Sequence, residues 1–160
     1  MTQDGAGRRA LELALGYIDV RERTVTEVAA KLQRAGVDPP SAQAAIDELL
    51  ALGCLDDARF ARLYTEDKRT LERWGSERIA HGLLARGIDR ELVTATLAEQ
   101  QTETELERAL AVLARRVAQP PVDRRARERA LGVLLRKGYD SETALEAVRI
   151  HSRSGSTQAA

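Results

Sequence analysis

Apolar residues recur three and four positions apart along most of this chain, the spacing of one helix face, and no segment alternates with the period of a strand. Leu11, Leu15 and Ile18 form the first stripe, within a helix predicted from Arg9 to about Glu22. Thr24-Val25-Thr26-Glu27 fits a capping box, so a second helix opens there and stops at Gly36. Asp38 followed by Pro39 reads as N-cap and first-turn proline of a third helix that runs to about Leu52. After the Gly53-Cys54-Leu55 turn, Asp56 caps a fourth helix and Asp57 complements its dipole. Phe60, Leu63, Tyr64, Leu71 and Trp74 fall on one face of that helix. Gly75-Ser76 opens a fifth with Ile79 and Leu83 inward, and Asp89 opens a sixth with Leu92, Val93 and Leu97. Thr102 and Thr104 each stand three before a Glu and place a cap ahead of the stripe Leu106, Leu110, Leu113, Val117. Gln119-Pro120-Pro121-Val122 breaks this seventh helix, Asp123 starts an Arg-dense eighth, and Asp140 starts a ninth that ends near Ile150.

The pattern repeats. Gly36-Val37-Asp38, Gly87-Ile88-Asp89 and Gly138-Tyr139-Asp140 are each separated by 51 residues. Leu32, Leu83 and Leu134 precede the glycines by four, and Val28, Ile79 and Ala130 precede them by eight. Ala42, Val93 and Ala144, then Ile46, Leu97 and Val148, follow at matching distances. Gly suits a left-handed helix stop and Asp accepts backbone N–H groups at the next start, so each triplet reads as stop, apolar contact and restart. The expected fold is all-α: tandem three-helix repeats, about nine helices, in an elongated curved array. The predicted divisions are a flexible N-terminus over 1–8, repeats over 9–52, 53–101 and 102–151, and a disordered tail over 152–160.

Composition agrees with this class. Aromatics are only 3% of the chain, so the cores must be built from Leu, Ala, Val and Ile. The zero formal charge hides an asymmetry: residues 105–160 hold 11 basic and 7 acidic groups, and 115–137 hold eight and two. That local excess can attract an anionic partner although the whole chain would not. Arg dominates the cations; Lys occurs only at Lys31, Lys68 and Lys137. The planar Arg fork pairs with carboxylate or phosphate and keeps its charge when partly desolvated. A lone Cys54 excludes an internal disulfide and a thiolate metal cluster, and no signal core or membrane-length apolar run is present, so a cytoplasmic location is expected.

No catalytic constellation stands out: there is no Gly-rich phosphate loop with Lys, no metal-ligand cluster and no nucleophile elbow. Asp56-Asp57 reads as helix capping rather than cation binding or acid–base chemistry, because the pair sits where a helix needs acceptors. His81 reads as a surface or packing residue, and Cys54 as an apolar turn residue. Trp74 and Phe60 read as core beside Leu63 and Leu71 rather than as a base-stacking platform. Arg59, Arg62, Lys68, Arg69, Arg73 and Arg78 alternate with acids, the pattern of a solvated face, whereas RRARER over 124–129 is open between a solvated face and a phosphate- or carboxylate-binding patch.

GCLDDARFARLY resembles the glycine–aromatic–Leu–Asp–Asp–x–Arg–Phe–Ala signature of the RecX family, with Cys54 in place of the aromatic at a turn contact. RWGSERIAHGLLARGI resembles the segment that follows it in the family, and LLRKGYDSETALEAV resembles the family's third unit. The resemblance covers about residues 9–150. It implies tandem three-helix modules that bind the RecA nucleoprotein filament, lie in its groove, and restrain ATPase, strand exchange and filament growth in recombination, repair and the SOS response. It implies no enzymatic activity, no cofactor, no membrane association, a monomer, and weak direct DNA contact. The family's basic positions map onto Arg59, Arg62, Lys68, Arg69, Arg73 and Arg78 and onto Arg124, Arg125, Arg127 and Arg129 as candidate RecA or DNA contacts. A helical DNA-binding protein acting without RecA is the alternative, motivated by RRARER and the helix-turn-helix look of each corner.

Overall fold

A computed structural model describes residues 3–99 and 103–158. Within them all regular structure is helical: α1 Gln3–Val20, α2 Val25–Arg34, α3 Pro39–Ala51, α4 Asp57–Thr70, α5 Ser76–Ala85, α6 Arg90–Ala98, α7 Glu105–Arg116, α8 Arg124–Lys137 and α9 Ser141–Gln158. Thr102, one of the two expected caps before α7, lies outside the described residues.

Each Gly-apolar-Asp corner uses one set of hydrogen bonds. Gly36, Gly87 and Gly138 have φ of 75°, 80° and 92°. The N–H of the residue after each glycine donates to the carbonyl of Leu32 (3.1 Å), Leu83 (3.2 Å) or Leu134 (3.2 Å). Each glycine N–H donates to Gln33, Leu84 or Leu135 at 3.0–3.1 Å, completing a Schellman stop. The aspartates then restart the chain: Asp38 accepts from the Ser41 N–H, Asp89 from Glu91 and Asp140 from Thr143 at 2.9–3.2 Å. These bonds favour the ionised carboxylates, and those of Asp38 and Asp140 are held below the usual range chiefly by the backbone donors. Leu32, Leu83 and Leu134 are all fully buried.

The chain divides into two compact units: residues up to Leu63 with Leu83–Thr96, and Tyr64–Gly82 with residues from Leu97 onward. The expected middle repeat, 53–101, is therefore shared between them. In the first unit α1, α2 and α3 close a core containing Val28, Leu32, Ile46 and Leu49. Of the α1 stripe, Leu11 and Ile18 pack against this core as expected, whereas Leu15 is 41% exposed and Ala10 and Ala14 are fully buried instead. In the second unit α7, α8 and α9 close around Leu113, Leu134, Tyr139 and Val148.

Among the described residues, helix extends into both terminal segments. The flexible N-terminus expected over 1–8 is helical from Gln3, with Asp4 in the first turn complementing the dipole. The tail expected to be disordered from 152 continues α9 to Gln158. His151 Nε2 donates to the Val117 carbonyl at 2.7 Å. Gly155 lies so close to Pro120 that an added Cβ would come within 2.6 Å of the proline Cβ. Val117 and Pro120, in the segment after α7, thus face α9 at His151 and Gly155.

Candidate functional site

The site is built on a junction between helix starts and helix stops. In the second unit the Gly75 N–H donates to the Lys137 carbonyl at 2.8 Å and the Glu77 N–H donates to the Gly138 carbonyl at 3.1 Å. Ser76 donates its N–H (3.0 Å) and hydroxyl (2.6 Å) to Glu105 Oε1 at the start of α7. The same oxygen accepts from buried Arg108 at 3.0 Å, and Arg108 also donates to the Glu103 carbonyl at 2.7 Å. The start of α5 is thereby locked to the end of α8 and the start of α7.

Just ahead of α5 the chain turns through Arg73, whose φ of 55° is left-handed, a conformation unfavourable for a side chain with a Cβ. The fully buried Tyr139 holds it by donating its hydroxyl to the Arg73 carbonyl at 2.8 Å. This turn overturns the expected apolar face of α4. The helix ends at Thr70, Leu71 is 79% exposed, and Trp74 lies beyond the turn, half-buried. Trp74 is not a core residue: Arg78 Cζ lies 4.0 Å and Lys68 Nζ 4.5 Å from the ring centroid. Such contacts favour cations over an aromatic face.

Trp74 and Arg78 line a cavity of about 360 Å³ with Glu72, Arg116, Arg136 and Lys137. The helix ends supply most of this charge. Arg116 is the last residue of α7, and Arg136 and Lys137 close α8, where the helix dipole favours cations. Glu72, the one acid lining the cleft among the described residues, pairs with Lys68 at 3.7 Å, and Lys137 Nζ donates to the Glu72 carbonyl at 2.7 Å. Arg78 Nη1 donates to the Arg136 carbonyl at 3.2 Å. Among the described residues the Arg116 and Arg136 guanidiniums have no carboxylate partner. Burial lowers the Lys137 ammonium's pKa, and neighbouring Arg116 and Arg78 lower it further against the pull of Glu72. An anion entering the cleft would relieve this repulsion, and two Arg forks offer the geometry that grips phosphate oxygens.

The ten basic residues singled out from the sequence separate into distinct roles. Arg78 lines the cleft, and Lys68 sits over the Trp74 ring beside it. Arg59 is a structural clamp, bonded to Glu22 at 3.1 Å and to the Gly53 and Cys54 carbonyls. Arg69 is half-buried and donates to the Leu97 carbonyl at 3.0 Å; burial, then Arg108, lowers its pKa. Arg73 pairs with Glu103 at 3.3 Å. Arg62 is exposed on α4. Arg124, Arg125, Arg127 and Arg129 are exposed on α8, with Arg124 tied to Glu128 at 2.9 Å. Arg116, Arg136 and Lys137, absent from that set, are three of the four cations lining the cleft among the described residues; their only trace in the sequence is the basic excess over 115–137. Asp56 caps α4 through the Arg59 N–H at 3.0 Å, as its position implies. Asp57 lies in the first turn of α4, where it complements the dipole, and also reaches α2 to accept the Val25 N–H at 2.9 Å; burial raises its pKa, opposed by that bond. His81 is exposed.

Comparison with known proteins gives this geometry a context. Residues 10–49 match a family model described as RecX, first three-helix domain, and residues 56–97 match RecX, second three-helix domain. A "Regulatory protein RecX" from Leptothrix cholodnii is 36% identical over 86% of this chain and 85% of its own length. One of the same name from Xanthomonas campestris pv. campestris is 34% identical over 87% and 85%. The crystal structure of RecX from Lactobacillus salivarius shares the fold with a TM-score of 0.83 at 20% identity, covering 94% of this chain and 99% of that one. The two matched domains and the relatives spanning most of both chains establish that this chain belongs to the RecX family.

Proposed function

We propose that this protein regulates RecA by binding the RecA–DNA filament, restraining its ATPase, strand exchange and growth, with no chemistry of its own. Membership of the RecX family carries this reading, through relatives named as regulatory proteins that match most of the chain. Three three-helix modules, 9–52, 53–101 and 102–151, are the working division. The cleft around Trp74 supports a contribution from phosphate contact, since its cations outnumber its single carboxylate. Such contact would serve the filament-bound state, where DNA and protein are presented together.

The test adds the purified protein to RecA assembled on single-stranded DNA and follows ATP hydrolysis and strand exchange. Both should fall as the protein is added. Unchanged rates at a several-fold molar excess over RecA subunits would reject the proposal. The second reading, DNA binding without RecA, is favoured by the same cleft. It requires tight binding to bare DNA that weakens steeply with salt, together with RecA rates that follow only the DNA occupied.

A further inference from the structure

Beside α9 in the second unit, three cavities join end to end. The first, about 480 Å³, is lined by Leu106 and Leu145. The second, about 600 Å³, has a floor of Leu131, Leu145 and Val148 between α8 and α9. The third, about 620 Å³, is formed by the Pro120-Pro121-Val122 segment. Leu145 and Arg149 line both the first and the second; Arg127, Ser152 and Arg153 line both the second and the third. Together they make a trough alongside α9 from Glu142 to Gly155, a span of roughly 20 Å at the helical rise per residue. Its apolar floor is open: Leu145 is 56% and Val122 88% exposed.

The trough's charge is polarised. Glu128 is committed to Arg124 at 2.9 Å and Glu146 to Arg149, while Glu142 stands in the first cavity, at the end away from Arg127 and Arg153. Among the described residues neither Arg127 nor Arg153 forms a salt bridge, although Arg153 adds to the field on Glu146, and both stand where the second and third cavities meet. Apolar pockets separated by unpaired guanidiniums match a chain that alternates apolar and acidic side chains. A nucleic-acid backbone would use the arginines and leave the floor uncovered. The length suits about six extended residues or about thirteen helical ones.

We propose that this trough docks a linear acidic segment of a protein partner, with apolar side chains over Leu145 and Val122 and carboxylates on Arg127 and Arg153. The proposal does not depend on the RecA reading. The test pans a random library of displayed peptides, about sixteen residues long to exceed the trough, against the full chain, with the Leu145→Glu variant as counter-selection. Enriched peptides should be acidic and carry bulky apolar residues. In fluorescence polarisation, the labelled peptides should bind about tenfold or more weakly to Leu145→Glu, and separately to Arg127→Glu with Arg153→Glu. Arg125→Glu, exposed on α8 outside the trough, should change binding by about twofold at most. Because the four substituted side chains lie at the surface, circular dichroism and melting should match wild type, which separates lost binding from lost folding. The proposal is overturned by a lack of enrichment, by enriched peptides without acids, by equal binding to Leu145→Glu, or by an oligothymidylate that binds the trough in place of the peptides.

Discussion

The Thr24 hydroxyl donates to the Arg86 carbonyl at 2.7 Å, tying the start of α2 to the end of α5 within the first unit. Fifty-one positions later in both partners, the Gly75 N–H donates to the Lys137 carbonyl at 2.8 Å within the second unit. The neighbouring pair repeats as well: Thr26 Oγ1 to Gly87 O at 3.5 Å, then the Glu77 N–H to Gly138 O at 3.1 Å. The donor changes from a hydroxyl to a backbone N–H while the joined positions stay the same. The 51-residue period therefore governs contacts between successive modules as well as the corners inside them.

Thr24 performs two tasks at once, since its hydroxyl oxygen also accepts the Glu27 N–H at 3.1 Å in a capping box. Thr24→Val should lower stability by about 2 kcal/mol, from the lost N-cap and the lost hydroxyl bond to the Arg86 carbonyl. Thr24→Ser should retain most of that stability. Urea unfolding followed by circular dichroism measures both.

The three corner glycines share a left-handed backbone but not their surroundings. A Cβ on Gly36 would meet nothing within 4 Å, so Gly36→Ala should lose only about 1 kcal/mol, the conformational term. A Cβ on Gly138 would sit 2.2 Å from Arg78 Cβ and 2.6 Å from its backbone nitrogen. Gly138→Ala should lower the melting temperature clearly more than Gly36→Ala, and equal losses would contradict the junction.

Tyr139 links stability to pH. Burial pushes its hydroxyl up to about 12 from an ordinary value of 10.0, with Glu105 adding to the effect. The folded state therefore favours the neutral phenol, so its contribution is intact below pH 10 and is lost as pH rises towards about 12. Tyr139→Phe should destabilise the protein by about 1 kcal/mol at neutral pH, through the missing bond to Arg73. It should also remove the part of the alkaline loss that belongs to this group. Unfolding curves between pH 8 and pH 12, compared for the two proteins, provide the check.

Much of this fold was legible in local chemistry. Thr24, Thr104, Asp38 and Asp56 accept the N–H groups their positions called for, and the Gly-apolar-Asp corners hold the bonds their spacing implied. The candidate site was legible only in part, because its residues converge through tertiary contacts. Arg116, Arg136 and Lys137 are dispersed in sequence and meet because α7 and α8 end beside the start of α5. Trp74 was misplaced for a backbone reason: a left-handed Arg73 removes it from the helical face its spacing suggested. Arg59 and Arg69 carry no sign in the sequence of the carbonyls that occupy them.

Trp74 is the chain's single tryptophan, so its fluorescence reports on the cleft. If phosphate enters beside Arg78 and Arg116, adding single-stranded DNA should shift the emission in a saturable, salt-sensitive way. Arg116→Glu with Arg136→Glu should abolish the shift while leaving the unfolding free energy within about 0.5 kcal/mol of wild type, because both side chains are exposed. An unchanged shift in the double variant would place the DNA contact elsewhere.

Cosedimentation with preformed filaments tests the central claim most directly. RecA is assembled on single-stranded DNA with a non-hydrolysable ATP analogue and pelleted in the presence of increasing amounts of this protein. Saturable recovery in the pellet is predicted, well above that seen with DNA alone. Protein that stays in the supernatant at every concentration, or that pellets equally with bare DNA, would contradict the account.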